Sequence, residues 1–136
     1  MVTIAFEIPI KTVSEANCSE HWTKKAKRHR SQQYFIRLAY NLYVKAMELP
    51  CHVTLTRLSP RLLDADDNLP MAFKWIKDEL SECIFPDKRK SYVTKKGKLR
   101  FIKGRADSDP RVTWRYAQEK GCFYRVRIEI EFLNTK

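Results

Sequence analysis

The sequence predicts a single α+β domain in which a mixed β-sheet is covered by two main helices. Strand segments, 2–8, 110–118 and 122–133 by their two-residue apolar period and 51–58 by its β-branched and apolar composition, alternate with segments of helical period at 22–48 and from 68 to about 84. The resulting order, β-α-β-α-β-β, is an α+β pattern. A length of 136 residues is that of one ordinary domain, residues 1–136, and 43% hydrophobic residues are enough for a core. Three glycines, six prolines and the absence of any Ser/Gly-rich or Pro-rich tract leave no sign of a linker, a low-complexity region or an internal repeat.

The first strand is carried by Val2, Ile4, Phe6 and Ile8 on one side, and Pro9 ends it. A polar stretch from Lys11 to His21 has no regular period and reads as a surface loop. From Trp22, an apolar recurrence of Phe35, Leu38, Ala39, Leu42, Ala46 and Leu49 predicts a long helix over 22–48, stopped by Pro50. Its first half holds Lys24, Lys25, Lys27, Arg28 and Arg30. Cations in the first turns oppose the helix dipole, which points to a use other than stability: a phosphate-contacting surface, or else simply a solvated face.

Cys51 to Leu58 is β-branched and apolar, the composition of a second strand. After it, Leu69, Ala72, Phe73, Ile76, Leu80, Cys83 and Ile84 form a helical stripe closed by Pro86, with Asp67 or Asn68 as N-cap and Pro70 in the first turn. Residues 87–106 carry nine of the chain's 27 lysines and arginines against one acid, Asp87. Lys88, Arg89, Lys90, Lys95, Lys96 and Lys98 belong to this basic insertion. It reads as a hairpin with Gly97 at its turn, or as a loop. The last two strands alternate cleanly, with Val112, Trp114 and Tyr116, then Cys122, Tyr124, Val126, Ile128, Ile130 and Phe132, on one side. Glu119-Lys120-Gly121 is read as the turn of an antiparallel C-terminal hairpin.

Composition narrows the function classes. A net charge of +11 and a sequence pI near 9.7 favour a polyanionic partner. No apolar run has the length of a membrane span, and the N-terminus lacks the build of a signal peptide, so a cytoplasmic protein with no membrane partner is expected. Cys18, Cys51, Cys83 and Cys122 contain no Cys-x-x-Cys pair and read as reduced thiols in or near the core. Phosphate-loop and dinucleotide fingerprints are absent, as are the glycine and downstream glutamate of an EF-hand. His21, His29 and His52 read as surface or hydrogen-bonding residues, and Trp22 and Trp114 serve core packing or a ligand.

The chemistry concentrates in residues 62–70, where Asp64, Asp66 and Asp67 fall within four positions. Like charges this close raise one another's pKa unless a cation or hydrogen-bond donors hold them ionised. Three carboxylates leading from a strand into a helix suit Mg²⁺, a hard cation that takes oxygen ligands. A second acidic pair, Asp107 and Asp109, would converge with them if its strand neighbours the one ending at Leu58. A plainer reading makes Asp66 or Asp67 a helix cap and Asp107 to Pro110 a turn, but a cap accounts for one carboxylate and not three.

Asp64-Ala65-Asp66-Asp67-Asn68-Leu69, the Lys74 to Asp78 stretch, the run from Asp107 to Gln118 and the loop from Ser14 to Trp22 together resemble a RusA-type Holliday junction resolvase of the phage and prophage type. The resemblance implies a Mg²⁺-dependent homodimer, with Mn²⁺ as a substitute, that nicks four-way DNA junctions in recombination and repair. Asp67 matches the aspartate of the family's Asp-Asn pair, and Asp107 matches its later aspartate. Ala65 stands where the family has its other early aspartate, so Asp64 or Asp66 takes that place. Met71 stands at the family lysine, and Lys74, one turn later, is the nearest candidate. The implied site is thus Asp64, Asp66, Asp67, Asp107 and Lys74, with Asp109 as a further metal ligand. A catalytically inactive nucleic-acid-binding protein on the same fold is the alternative.

Overall fold

The computed structural model describes residues 3–12, 21–63, 68–85, 90–102 and 109–133. Its strands are β1 (Thr3–Ile8), β2 (Cys51–Ser59), β3 (Lys90–Val93), β4 (Leu99–Ile102), β5 (Val112–Lys120) and β6 (Arg125–Phe132). Its helices are α1 (Trp22–Tyr43), α2 (Asn68–Ala72) and α3 (Lys74–Ile84). The α+β expectation holds: a mixed four-stranded sheet in the order β1-β6-β2-β5 carries the helices on one face, and β3 and β4 form a separate antiparallel hairpin.

Alternation along each strand explains the core. Phe6 and Ile8, then Cys51, Val53 and Leu55, then Val112, then Val126, Ile128, Ile130 and Phe132 are buried against Ile36 of α1 and Phe73, Ile76, Leu80 and Ile84 of the α2–α3 region. The opposite face of the sheet is polar. There Glu7 bridges Arg125 at 2.9 Å and Arg127 at 3.3 Å, and Arg127 reaches Glu119 at 3.3 Å.

The predicted C-terminal hairpin does not form. β6 runs antiparallel to both β1 and β2, whereas β5 pairs in parallel with β2 from Cys51↔Val112 to Ser59↔Lys120, so β2 separates the last two strands. Glu119 and Lys120 belong to β5, and the connection crosses the end of β2, where the Gly121 N–H donates to the Ser59 carbonyl at 3.0 Å. Cys122 is consequently exposed and not on the core side. β2, which has no exposed position and is mostly buried, gains a hydrogen-bonded neighbour on both edges. A hairpin of β5 with β6 would leave one edge of it unpaired.

The first predicted helix is shortened and the second is interrupted. α1 ends at Tyr43 and not near 48, because Val44 leaves helical geometry (φ −99°, ψ 100°) and buries its side chain in the core. The stripe predicted along α1 is also displaced: Ile36 and Gln32 are buried, whereas Leu38 and Leu42 are exposed. The second helix breaks at Phe73 (φ −98°, ψ −1°), whose N–H bonds to the Pro70 carbonyl at 3.2 Å in a tighter turn. The break drives the fully buried Phe73 ring onto Tyr116 of β5, with centroids 5.7 Å apart. The insertion folds as the hairpin alternative, with Gly97 at φ +80° in the turn, a conformation that favours glycine.

Phe73 is the hinge of this packing, so Phe73→Ala should lower the unfolding free energy by about 3–5 kcal/mol, read from urea denaturation. Burial pushes the Cys51 thiol up to about 11 and, with the charges of Cys83 and Cys51 adding to it, the Tyr40 hydroxyl up to about 12. Between about pH 8.5 and 11 the unfolded chain sheds the thiol proton and the native chain keeps it, so stability falls as pH rises through that window. Urea midpoints measured across it should decline less steeply in Cys51→Ala than in the parent chain.

Candidate active site and nucleic-acid interface

Strand directions decide which residues share an end of the molecule. β1 and β2 are both antiparallel to β6, and β5 is parallel to β2, so β1, β2 and β5 all point the same way. α1 returns against β1: Tyr43 stacks on Phe6 at 5.2 Å, while Arg28, Ser31, Gln32 and Phe35 line a cavity of about 320 Å³ with Pro9, Ile10 and Lys11 just beyond β1. α3 lies parallel to α1, because His29 stacks on Trp75 at 4.0 Å and, further along both helices, Arg37 bridges Glu79 at 2.7 Å. The N-termini of α1, α2 and α3 therefore gather at the carboxyl ends of β1, β2 and β5. In open α/β sheets this is the end where ligands are bound.

The acidic stretch leaves β2 at this same end. Asp64, Asp66 and Asp67 lie outside the described residues, but the residues on either side of them are in place. Leu63 is clamped by Gln118 of β5, which accepts its N–H at 2.8 Å and donates to its carbonyl at 2.7 Å, and Asn68 opens α2. Beneath Leu63 lies Arg57, 5% exposed. Its guanidinium donates to Thr12 Oγ1 at 2.8 Å, Ser59 Oγ at 2.5 Å and the Arg61 carbonyl at 2.6 Å, which joins the exit of β1 to the turn that launches the acidic stretch. Burial pulls the Arg57 pKa down and the nearby Tyr124 pulls the other way. Tyr124 is also covered by Lys11, with Nζ 4.8 Å from the ring centroid. Sequence reading overlooked Arg57 and Gln118. The available signal is that each is a polar residue ending the apolar, helix-facing register of its strand, after Cys51, Val53 and Leu55 and after Val112, Trp114 and Tyr116 respectively.

Of the predicted cations, Lys24, Lys27 and Arg30 are exposed on α1, and Lys25 and Arg28 are half-buried. Lys74 is the exposed first residue of α3, with its Nζ 5.4 Å from the Trp75 ring that stacks on His29. The structure thus joins Lys74 to the basic half of α1, a proximity that sequence spacing does not contain. Lys77 faces Trp114 of β5 at 5.5 Å. In the hairpin, Lys95, Lys96 and Lys98 are exposed around the turn and Lys90 begins β3, while Lys88 and Arg89 lie outside the described residues.

The second acidic pair is placed differently from the first. The strand after it does neighbour β2, as the convergence of the two acidic clusters requires. Parallel pairing, however, puts its first residues beside Cys51, at the start of β2 and not at its end. From Val112 to Gln118, which holds Leu63, is six residues, or about 20 Å of strand. Asp109, just before that start, is buried and bound to Arg111, whose N–H and Nε donate to Oδ1 at 3.0 Å each and whose second guanidinium nitrogen donates to Oδ2 at 2.9 Å. Arg111 also lies over the Phe85 ring at 4.9 Å, at the far end of α3. This is the side-chain-to-backbone turn of the plainer reading. Asp107 lies outside the described residues.

Among the described residues no three His, Cys, Asp or Glu side chains group to hold a metal. The donor set between Ser59 and Ile76 contains carboxylates and no cysteine or histidine, and both chain ends that enter and leave it are anchored at one end of the sheet. Such oxygen donors are of the kind that a hard cation such as Mg²⁺ takes. No described helix is long and apolar enough to cross a membrane. Comparison with family models and with curated proteins finds no match.

Removing the Arg57 guanidinium takes a charged donor from the Thr12 and Ser59 hydroxyls and from the Arg61 carbonyl, which keeps only its bond from Ser59 Oγ. Arg57→Met should cost about 1–3 kcal/mol of stability, measured by thermal denaturation, with Arg57→Lys recovering only part because an ammonium cannot span all three acceptors.

Proposed function

We propose that this chain is a metal-dependent endodeoxyribonuclease that cleaves branched DNA, four-way junctions above all, by phosphodiester hydrolysis in recombination and repair. The observation that carries the reading is the shared end of the sheet. The stretch with Asp64, Asp66 and Asp67 is rooted beside Arg57 at the carboxyl end of β2, where the basic half of α1 and Lys74 also stand. The resemblance of the acidic stretch and of residues 107–118 to RusA-type resolvases supplies the choice of substrate.

Asp64, Asp66 and Asp67 would hold Mg²⁺, or Mn²⁺ in its place; Asp107 is only two residues from Asp109, which stands just before β5 at the opposite end of the sheet, and is left out of that ligand set. When bound, such an ion polarises the phosphoryl oxygens and lowers the pKa of water. The chain's own groups do the rest. Lys74, exposed and backed by Trp75, contacts the scissile phosphate and stabilises the charge that develops there. Lys24, Lys25, Lys27, Arg28 and Arg30 neutralise backbone phosphates along α1, and Lys95, Lys96 and Lys98 at the hairpin turn grip a second arm of the DNA. A homodimer presents two such sites to the two strands of a junction.

The second reading, a nucleic-acid-binding protein without cleavage, is favoured by one observation: the Asp109 carboxylate is taken up by Arg111. Incubation with a labelled four-way junction and Mg²⁺ separates the two. The nuclease reading expects cutting by the parent chain, none by Asp67→Asn at unchanged junction affinity, and a loss of about a hundredfold in kcat for Lys74→Ala. Tight binding with no cutting by any form leaves only the binding protein.

A further inference from the structure

We propose that Trp22 is a stacking platform for an unpaired base at the branch of the nucleic acid, so that it supplies selectivity for branched over continuous DNA. This rests on the nucleic-acid reading above and adds a residue and a kind of contact to it.

Trp22 is the first residue of α1 and is 71% exposed, an unusual state for the largest apolar side chain. Among the described residues its ring contact is His21, at 5.6 Å and tilted by 31°. His21 is held in turn, because it caps α1: its Nδ1 lies 3.3 Å from the Thr23 N–H and 2.7 Å from Thr23 Oγ1. The indole is therefore presented on an anchored turn with its outer surface in water.

Its position gives that surface a direction. Trp22 and His29 are seven residues apart, two helical turns, and share a face of α1. His29 stacks on Trp75, next to Lys74. Trp22 thus stands about 10 Å beyond that stack, past the N-terminus of α3, on the side from which α2 and the acidic stretch enter.

Charge selects the partner. Between Trp22 and Arg30 lie five lysines and arginines and no acid. A second copy of a chain with net charge +11 is repelled there, whereas a polyanion is attracted. Lysines contact the phosphates of any nucleic acid, but an aromatic ring needs an open base face, because inside a continuous duplex each base is already covered by its neighbours. A free base face exists at a branch or in a single strand. Aromatic–base stacking contributes roughly 5- to 150-fold in affinity and tolerates any base.

The test is binding of fluorescently labelled four-way junction, single strand and continuous duplex, without added divalent cation, to the full chain and three variants. Trp22→Ala should lose roughly 5- to 150-fold on junction and single strand and less than about twofold on duplex, and Trp22→Phe should keep most of the parent affinity. Lys24→Ala with Lys25→Ala should weaken all three substrates alike and reduce the slope of log affinity against log salt by about 2. Equal loss on all three substrates with Trp22→Ala, or no loss on any, overturns the stacking role and leaves the nucleic-acid reading standing. A change in sedimentation with Trp22→Ala at unchanged DNA selectivity assigns the indole to contact between copies. Absence of nucleic-acid binding by the parent chain defeats both readings together.

Discussion

Parallel strands cannot be joined by a tight turn, and the parallel pairing of β2 with β5 sets most of what is distinctive here. After Ser59 the chain has to travel back along the sheet before β5 can begin. It does so through the acidic stretch, α2 and α3, with Phe73 packed on Tyr116 on the way. α1 makes the equivalent return from the end of β1. Both returns begin at the carboxyl ends of strands, so the basic half of α1, Lys74 and the root of the acidic stretch are brought together by chain direction. The same constraint separates Asp109 from them and leaves it to organise the opposite end, where Arg111 binds its carboxylate and the Arg111 carbonyl accepts the Cys51 N–H at 3.0 Å.

Arg57 is the electrostatic counterpart of that geometry. An arginine this deeply buried is stable only if its donors are satisfied, and Thr12, Ser59 and the Arg61 carbonyl accept from it. It thereby fixes the turn from which the acidic stretch departs, and its positive charge lies at the Ser59 to Arg61 root of that stretch. A cation near clustered acids favours their ionised form, the form that ligates a hard metal ion. In the reading proposed above, Arg57 supports the acids from beneath while the lysines of α1 and Lys74 face the substrate.

The basic surface has two parts of different character. On α1 the cations sit on a long helix that is tied to α3 through the stacking of His29 on Trp75. On the hairpin, three lysines surround a turn held by the Thr94 N–H to the Lys98 carbonyl and the Gly97 N–H to the Thr94 carbonyl, each at 2.9 Å. Val93 and Leu99 pair across that hairpin and are both exposed. In the reading proposed above, the helix and the two-stranded hairpin hold different segments of the branched DNA.

Local periodicity determined a good deal about this protein. Alternation in β1, β5 and β6 assigned most of their core-facing side chains, because a side chain's face depends only on its own strand. The turn at Gly97 and the clustering of acids and bases were legible for the same reason. Partner choice was not legible. That β5 joins β2 and not β6 follows from which backbone edges would otherwise stay unpaired, a property of the assembled sheet. Burial of Val44 and Phe73 against distant residues likewise overrode the helical pattern that ran through them. The candidate site divides along the same line: sequence singled out the acids, Lys74 and the α1 cations as residues, and only the tertiary structure put Lys74 beside α1, set Arg57 at the root of the acidic stretch and carried Asp109 to the other end. Side-chain chemistry is written residue by residue, whereas proximity between residues far apart in the chain comes from strand direction and burial.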